Sequence, residues 1–197
     1  MARASEPADR RARLLEEALA LVAVGGLAAV THRAVERAAG APHGSVTYYF
    51  GSRDGLVDAM VDHLVERCEE RVSGIAREIA MALAPRGATL DVAPFVAAIT
   101  AWMDADRDLQ LARLELELEA IREPRIRARM TDAGRVFWRM CEPLALALGS
   151  PDPERDGRAL AAMVDGLLVD RLAHDPASDD VIGSALTHLL RSWATES

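Results

Sequence analysis

Apolar residues recur at intervals of three and four along almost the whole chain, the spacing that lines up one face of an α-helix. Leu14, Ala18, Leu21 and Val22 mark such a stripe on a first helix over 8–24, which Gly25 and Gly26 bring to an end. Ala34, Val35, Ala38 and Ala39 mark a second, short helix, with the Thr31 hydroxyl as its cap and Gly40 as its stop. Pro42 suits the first turn of a third, on which Val46 and Phe50 turn inward. A long helix follows from 53 to about 83, with Leu56, Met60, Leu64, Cys68 and Val72 on one face and a bend at Ser73 and Gly74. After a loop at 85–89, helices are expected over 91–105, 107–122, 124–148, 154–174 and 179–194, with Pro143 kinking the 124–148 helix. Strand-forming clusters are scarce, so the expected fold class is all-α, with about nine helices.

With 197 residues, half of them hydrophobic, the chain can bury a sizeable core. The pattern divides it into a small three-helix domain over 1–52 and a larger helical bundle over 53–197. The net charge of −8 argues against nucleic acid until its distribution is considered. Up to Arg53 there are seven Arg against five acids, a balance of +2, which leaves −10 for the rest. Such asymmetry lets the less acidic end meet phosphate while the body stays soluble. All 23 basic residues are Arg. A GC-rich genome is the simple explanation, and guanidinium groups also suit bidentate phosphate contact.

Residues 31–53 read THRAVERAAGAPHGSVTYYFGSR, two short helices about a tight turn. The second offers His43, Gly44, Ser45 and Thr47 on one side and adds the hydroxyls of Tyr48 and Tyr49. A helix of this kind fits a major groove, and the pair reads as a helix-turn-helix. The order Thr, apolar pair, Gly, then Gly-Ser-Val-Thr-Tyr-Tyr-Phe and Ser-Arg-Asp-Gly-Leu resembles the N-terminal domain of TetR/AcrR-family transcriptional regulators. The resemblance covers about residues 9–60, and the remainder matches in helical layout and length. The chain departs from the family pattern at Thr47, Gly51 and His43, where an aromatic, a Lys, and a Lys or Arg are common.

The resemblance implies a homodimeric, ligand-responsive DNA-binding regulator, a repressor released from a palindromic double-stranded DNA operator by a small, mostly apolar effector. By position, His32, Pro42, His43, Gly44, Ser45 and Thr47 would face bases, and Thr31, Tyr48, Tyr49 and Arg53 would hold phosphates. Each has a structural alternative: Thr31 as a cap, Pro42 as a helix starter, the tyrosines packed on the body. The last two helices offer a subunit interface through Ala159, Ala162, Gly166, Ile182, Leu186, Leu189 and Trp193, the alternative being that this face covers the chain's own core. For the effector, the central helices carry Phe95, Trp102, Met103, Leu111, Leu114, Leu118, Phe137, Trp138 and Met163. A greasy interior is equally the make-up of a plain core. His63, Glu115 and Asp165 lie beside these stripes, where a ligand, or a partner such as Arg113, would have to satisfy them.

Other chemistry finds little support. Cys68 and Cys141 match no metal-ligand spacing and read as free thiols. Asp104, Asp106, Asp108 and Glu115 fall at positions 1, 3, 5 and 12 of a calcium loop, but Leu109 stands where its turn needs Gly, so a solvated corner is the better reading. His174 and Asp175 sit at a helix end without a partner motif. No nucleophile turn, phosphate-binding Gly loop or Cys-X-X-Cys pair occurs, so no enzyme activity and no cofactor are expected. No run of about 18 apolar residues exists to span a membrane. The apolar 18–30 stretch, with Arg10, Arg11 and Arg13 upstream, is read as helix rather than secretory signal because Glu16 and Glu17 abut it. A cytoplasmic location follows. The alternative function is an all-helical interaction module without DNA binding.

Overall fold

The computed structural model describes residues 6–82, 93–174 and 179–194. Among the described residues the regular structure is helical: α1 (Glu6–Gly25), α2 (His32–Ala38), α3 (Ser45–Phe50), α4 (Arg53–Ala82), α5 (Ala93–Asp104), α6 (Arg107–Arg122), α7 (Pro124–Ala147), α8 (Pro153–Ala173) and α9 (Asp179–Ala194). The expected loop at 85–89 lies outside the described residues, as do 91–92 and Asp175. A 3-10 turn, Leu27–Ala29, follows α1; the helical periodicity gave no sign of it. α4 runs unbroken through Ser73 and Gly74, and α7 continues through Pro143.

The chain divides into two compact units, 1–68 with 106–133, and 69–105 with 134–197. Of the three boundaries, two fall inside helices, α4 and α7, and the third lies between α5 and α6. In the first unit α1 packs on α2 and α6, and α2 on α3. Leu14, Leu15, Ala18 and Val22 of α1, Val35 of α2, Val46 of α3 and Leu56, Met60 and Leu64 of α4 are all buried there, with Leu116 of α6. The i, i+3, i+4 spacing read from the sequence is therefore mainly the inward face, with Leu21 and Ala34 half-buried and Ala38 exposed. Ion pairs bind α7 to α4: Arg125 reaches Asp54 (3.3 Å) and Asp58, while Arg129 reaches Asp58 (3.2 Å) and Asp62.

The second unit is built around Phe95, Trp102 and Met103 of α5, Leu144, Ala145 and Leu148 at the end of α7, Leu160, Val164 and Leu168 of α8, and Ile182, Leu186, Leu190 and Trp193 of α9. α8 starts sharply. Asp152 accepts a hydrogen bond from the Arg155 N–H at 3.2 Å, Pro153 fills the first turn, and the buried Asp156 accepts the Ser150 hydroxyl at 2.6 Å. That hydroxyl is the main reason the Asp156 carboxyl stays below the usual range; burial opposes it and Arg155 assists. Gly157 is buried where a Cβ would stand 3.0 Å from the Glu142 nitrogen and 3.2 Å from the Trp138 carbonyl oxygen, so α7 and α8 approach closely only because it has no side chain. Nearby, burial, then Asp165 and Glu142, push the Cys141 thiol up to about 11, which keeps it protonated and unreactive.

Ile182, Leu186 and Trp193, considered as subunit-interface residues from their stripe, are placed in this unit's own core. Leu186 is fully buried, so Leu186→Ala should lower stability by about 2–5 kcal/mol. A denaturant titration checks it: a midpoint that did not move would show the unit's core lies elsewhere.

Candidate nucleic-acid interface

The helix-turn-helix is assembled from a small number of directed bonds. Thr31 has extended backbone, and its Oγ1 accepts the Ala34 N–H at 3.2 Å, the cap expected for α2. α2 closes into Gly40 at φ 60°, a left-handed value that favours glycine. The link to α3 differs from expectation. Pro42 is not in the first turn of the helix but three residues ahead of Ser45, where its carbonyl accepts both the Ser45 N–H (3.1 Å) and the Ser45 hydroxyl (2.6 Å). The physical reason is a buried carboxylate on α2. Glu36 Oε1 accepts the N–H groups of Gly44 (2.9 Å) and Val46 (3.1 Å), and Oε2 lies 3.2 Å from His43 Nδ1. It satisfies donors at the start of α3 from outside that helix, and Gly44 reaches the required position at φ 88°.

Glu36 is 5% exposed. Burial is the largest single influence on its carboxyl and pushes it up. Hydrogen bonds from the Val46 N–H, His43 and the Gly44 N–H, with attraction to His43, together outweigh burial and hold it below the usual range. From composition alone Glu36 is only one acid in a charge balance. A signal did exist: a carboxylate within the otherwise apolar face of α2, eight residues ahead of a Gly.

Around this anchor the predicted reading residues separate by exposure. Pro42, His43, Thr47 and Tyr48 are exposed, with Tyr48 edge-on to Tyr49 at 4.9 Å between ring centroids. Gly44, Ser45 and Tyr49 are half-buried. His32 Nδ1 lies 3.3 Å from the Thr47 hydroxyl, while its Nε2 is buried without a hydrogen-bond partner. The Arg53 guanidinium donates to the carbonyls of Leu27 (3.0 Å) and Val30 (3.4 Å), closing the 3-10 turn, although the residue is exposed. Arg33 and Arg37, which the sequence reading left unassigned, stand exposed on α2. Arg11 of α1 lies over the Phe50 ring, 5.5 Å from its centroid.

The predicted effector residues fall in both units. In the first, His63 is held by Glu16 (2.9 Å), which also binds Arg67, so the fold itself satisfies this imidazole. The buried Arg113 pairs with Glu117 at 2.6 Å rather than with Glu115. Leu118 is half exposed, contrary to an interior position, and Leu111, Leu114 and Glu115 are half-buried. Two clefts in this unit, of about 310 and 390 Å³, are lined chiefly by charged side chains such as Arg53, Asp54 and Glu123, or Glu17, Arg67 and Asp108, and by none of the predicted effector residues. In the second unit Phe95, Trp102 and Met103 are buried, while Phe137, Trp138, Met163 and Asp165 are half-buried. Arg158 stacks over the Trp138 ring at 4.5 Å. Asp104, the first residue of the calcium template, accepts hydrogen bonds from Nε and Nη2 of Arg171 at 2.6 and 2.8 Å.

Comparison with known proteins gives this geometry a context. Residues 14–60 match the model of bacterial regulatory proteins of the tetR family, and residues 87–192 match the tetracyclin repressor-like C-terminal domain. The HTH-type transcriptional regulator BetI of Paraburkholderia phymatum is 29% identical over 85% of this chain and 84% of its own. A TetR-family structure from Streptomyces coelicolor A3 superposes with a TM-score of 0.64 at 28% identity, covering 92% of this chain and 98% of that one. The multidrug binding protein EbrR in complex with ethidium gives 0.63 at 28% identity, over the same shares, and EbrR has also been solved with proflavin and with malachite green.

Removing the carboxylate should loosen the whole turn. Glu36→Ala leaves the Gly44 and Val46 N–H groups without their acceptor, at a cost of about 1–3 kcal/mol for each group left unpaired. Because the folded-state value lies below the ordinary 4.5, the ionised Glu36 stabilises the fold above that pH, and the contribution is lost as pH falls through the lower folded value. The stability difference between wild type and Glu36→Gln should therefore shrink on acidification below about 4.5. Denaturation midpoints of both proteins across pH 3–7 measure it, and a constant difference would contradict the assignment.

Proposed function

The chain belongs to the TetR family of bacterial regulatory proteins, and from that premise we propose that it is a cytoplasmic, homodimeric repressor that leaves a palindromic operator when it binds a small, mostly apolar effector. The observation that carries this reading is the exposed edge of His43, in the turn before α3, with Thr47 and Tyr48 on α3, a helix whose start is fixed by Glu36. His43, Thr47 and the half-buried Ser45 supply groups for base edges, and Tyr48, Thr31 and the exposed Arg33 and Arg37 supply groups for phosphates. Arg53, already bonded to Leu27 and Val30, serves a phosphate only through the capacity its two carbonyl partners leave free.

A pairing surface is supported by the outer face of α8. Ala159, Ala162, Gly166 and Val169 are exposed at alternating intervals of three and four, a stripe of small and apolar groups that permits close helix approach. An isologous contact through such a face sets two reading heads in two-fold relation, as a palindrome requires. For the effector, the relatedness to EbrR, solved with ethidium, proflavin and malachite green, supports a ligand of aromatic character. The aromatic side chains of the second unit supply matching surface. Release then follows from differential affinity: an effector that favours the state with mismatched heads lowers operator affinity, and operator lowers effector affinity by the same factor.

Selection from a random double-stranded DNA pool, repeated at two salt concentrations, tests the regulator reading. The expected result is a palindromic site whose affinity falls steeply with salt. Retention of no sequence above background would overturn it. The dimer reading has its own test in Gly166→Arg, a change on an exposed residue with open space around its Cβ position, so the subunit fold should survive. Sedimentation should move from dimer to monomer, and operator affinity should fall about tenfold or more as the second half-site is lost. A wild-type monomer would end it.

A further inference from the structure

We propose that Glu36 decides which base edge His43 can read, by holding the imidazole in its Nδ1–H tautomer and so presenting Nε2 as a hydrogen-bond acceptor. The inference rests on the reading of α3 as the DNA-reading helix and deepens it: Glu36 is a positioning residue that acts through His43 without touching DNA.

Donors and acceptors around Glu36 fix the tautomer. Glu36 Oε1 is occupied by the Gly44 and Val46 N–H groups, both of which can only donate. Oε2 lies 3.2 Å from His43 Nδ1. An ionised carboxylate only accepts, so the proton between them belongs to Nδ1. A neutral imidazole carries a single N–H, and its other nitrogen is then a bare lone pair. Burial supports the division of labour, because the Glu36 side chain is 6% exposed and that of His43 84%. The anchor is rigid and the reader is open.

This choice has a chemical consequence in a major groove. An acceptor at Nε2 matches the amino groups of cytosine and adenine, whereas a donor there would match O6 and N7 of guanine, O4 of thymine or N7 of adenine, so the two tautomers part at cytosine against guanine or thymine. Base preference at the His43 position is thus set by a residue on another helix. Gln at position 36 would reverse it. Its single carbonyl oxygen must keep serving Gly44 and Val46, so the amide nitrogen faces His43, donates to Nδ1, and drives the ring proton to Nε2.

The test uses the whole protein, as wild type, Glu36→Gln and His43→Ala. Nitrogen-15 NMR of the imidazoles at about pH 8.5, above the ordinary histidine range, should show His43 protonated on Nδ1 in wild type and on Nε2 in Glu36→Gln. Selection from a random DNA pool should give one base pair whose preference is relaxed in His43→Ala. At that pair, Glu36→Gln should exchange a preference for cytosine, whose edge only donates, for guanine or thymine, whose edges only accept, by roughly fivefold or more. A neutral wild-type His43 carrying its proton on Nε2 overturns the proposal, and because that spectrum is taken on the unmutated protein it holds even if Glu36→Gln folds poorly. A tautomer that switches while the base preference stays put also overturns it. If the wild type retains no DNA at all, the regulator reading fails and the base-reading claim with it, while the tautomer stands as a separate observation.

Discussion

Three hydrogen bonds to one buried carboxylate hold the helix-turn-helix in shape. Glu36 is on α2, yet its partners are His43, Gly44 and Val46, seven, eight and ten residues later. Two short helices of seven and six residues could not persist alone, since helices of that length are marginal in water. Burying an ion is unfavourable unless it is fully bonded, and here the bonds exist only when the turn is closed. Closure of the turn and solvation of the charge are therefore the same event. Val35 and Val46, both buried, add the apolar contact that draws the two helices together, but that contact has no direction and would tolerate several registers. The carboxylate removes that freedom.

The helices were largely legible in the chain because their cause is local. Periodic apolar residues, Gly25 and Gly26, Thr31, Gly40 and Pro153 act within a turn or two of where they stand, and the observed bounds lie close to those expected from them. Pro42 misled for the same reason. Its local preference fits a first helical turn, and a partner six residues upstream moved the start of α3 to Ser45. Residues that would face an effector are the least legible. A stripe of Trp, Phe and Met has the same periodicity whether it closes a core or walls a cavity, and His63, which looked stranded beside such a stripe, finds Glu16 on a helix 47 positions earlier. Long-range pairing of that kind leaves no mark on a single sequence.

α8 shows how one helix serves two surfaces. Leu160, Val164 and Leu168 face the core of their unit, and Ala159, Ala162, Gly166 and Val169 face outward. Both stripes are apolar, so a hydrophobic count does not tell them apart. Size does. Leu160 and Leu168 are large enough to fill a packed interior, while Ala159, Ala162 and Gly166 are small, which leaves the backbone open to close approach; only the valines, Val164 inward and Val169 outward, are alike.

The ion pairs joining Arg125 and Arg129 to Asp54, Asp58 and Asp62 set complementary charges one helical turn apart on both α4 and α7. Partly exposed charges in such a ladder are screened as ionic strength rises. Phosphate contacts weaken over the same range, through release of counterions from DNA. Salt titrates the protein and its complex together: a measured salt slope for this chain sums charges engaged with a nucleic acid and charges engaged with each other, and the number of phosphates contacted follows from it only once the protein's own share is subtracted.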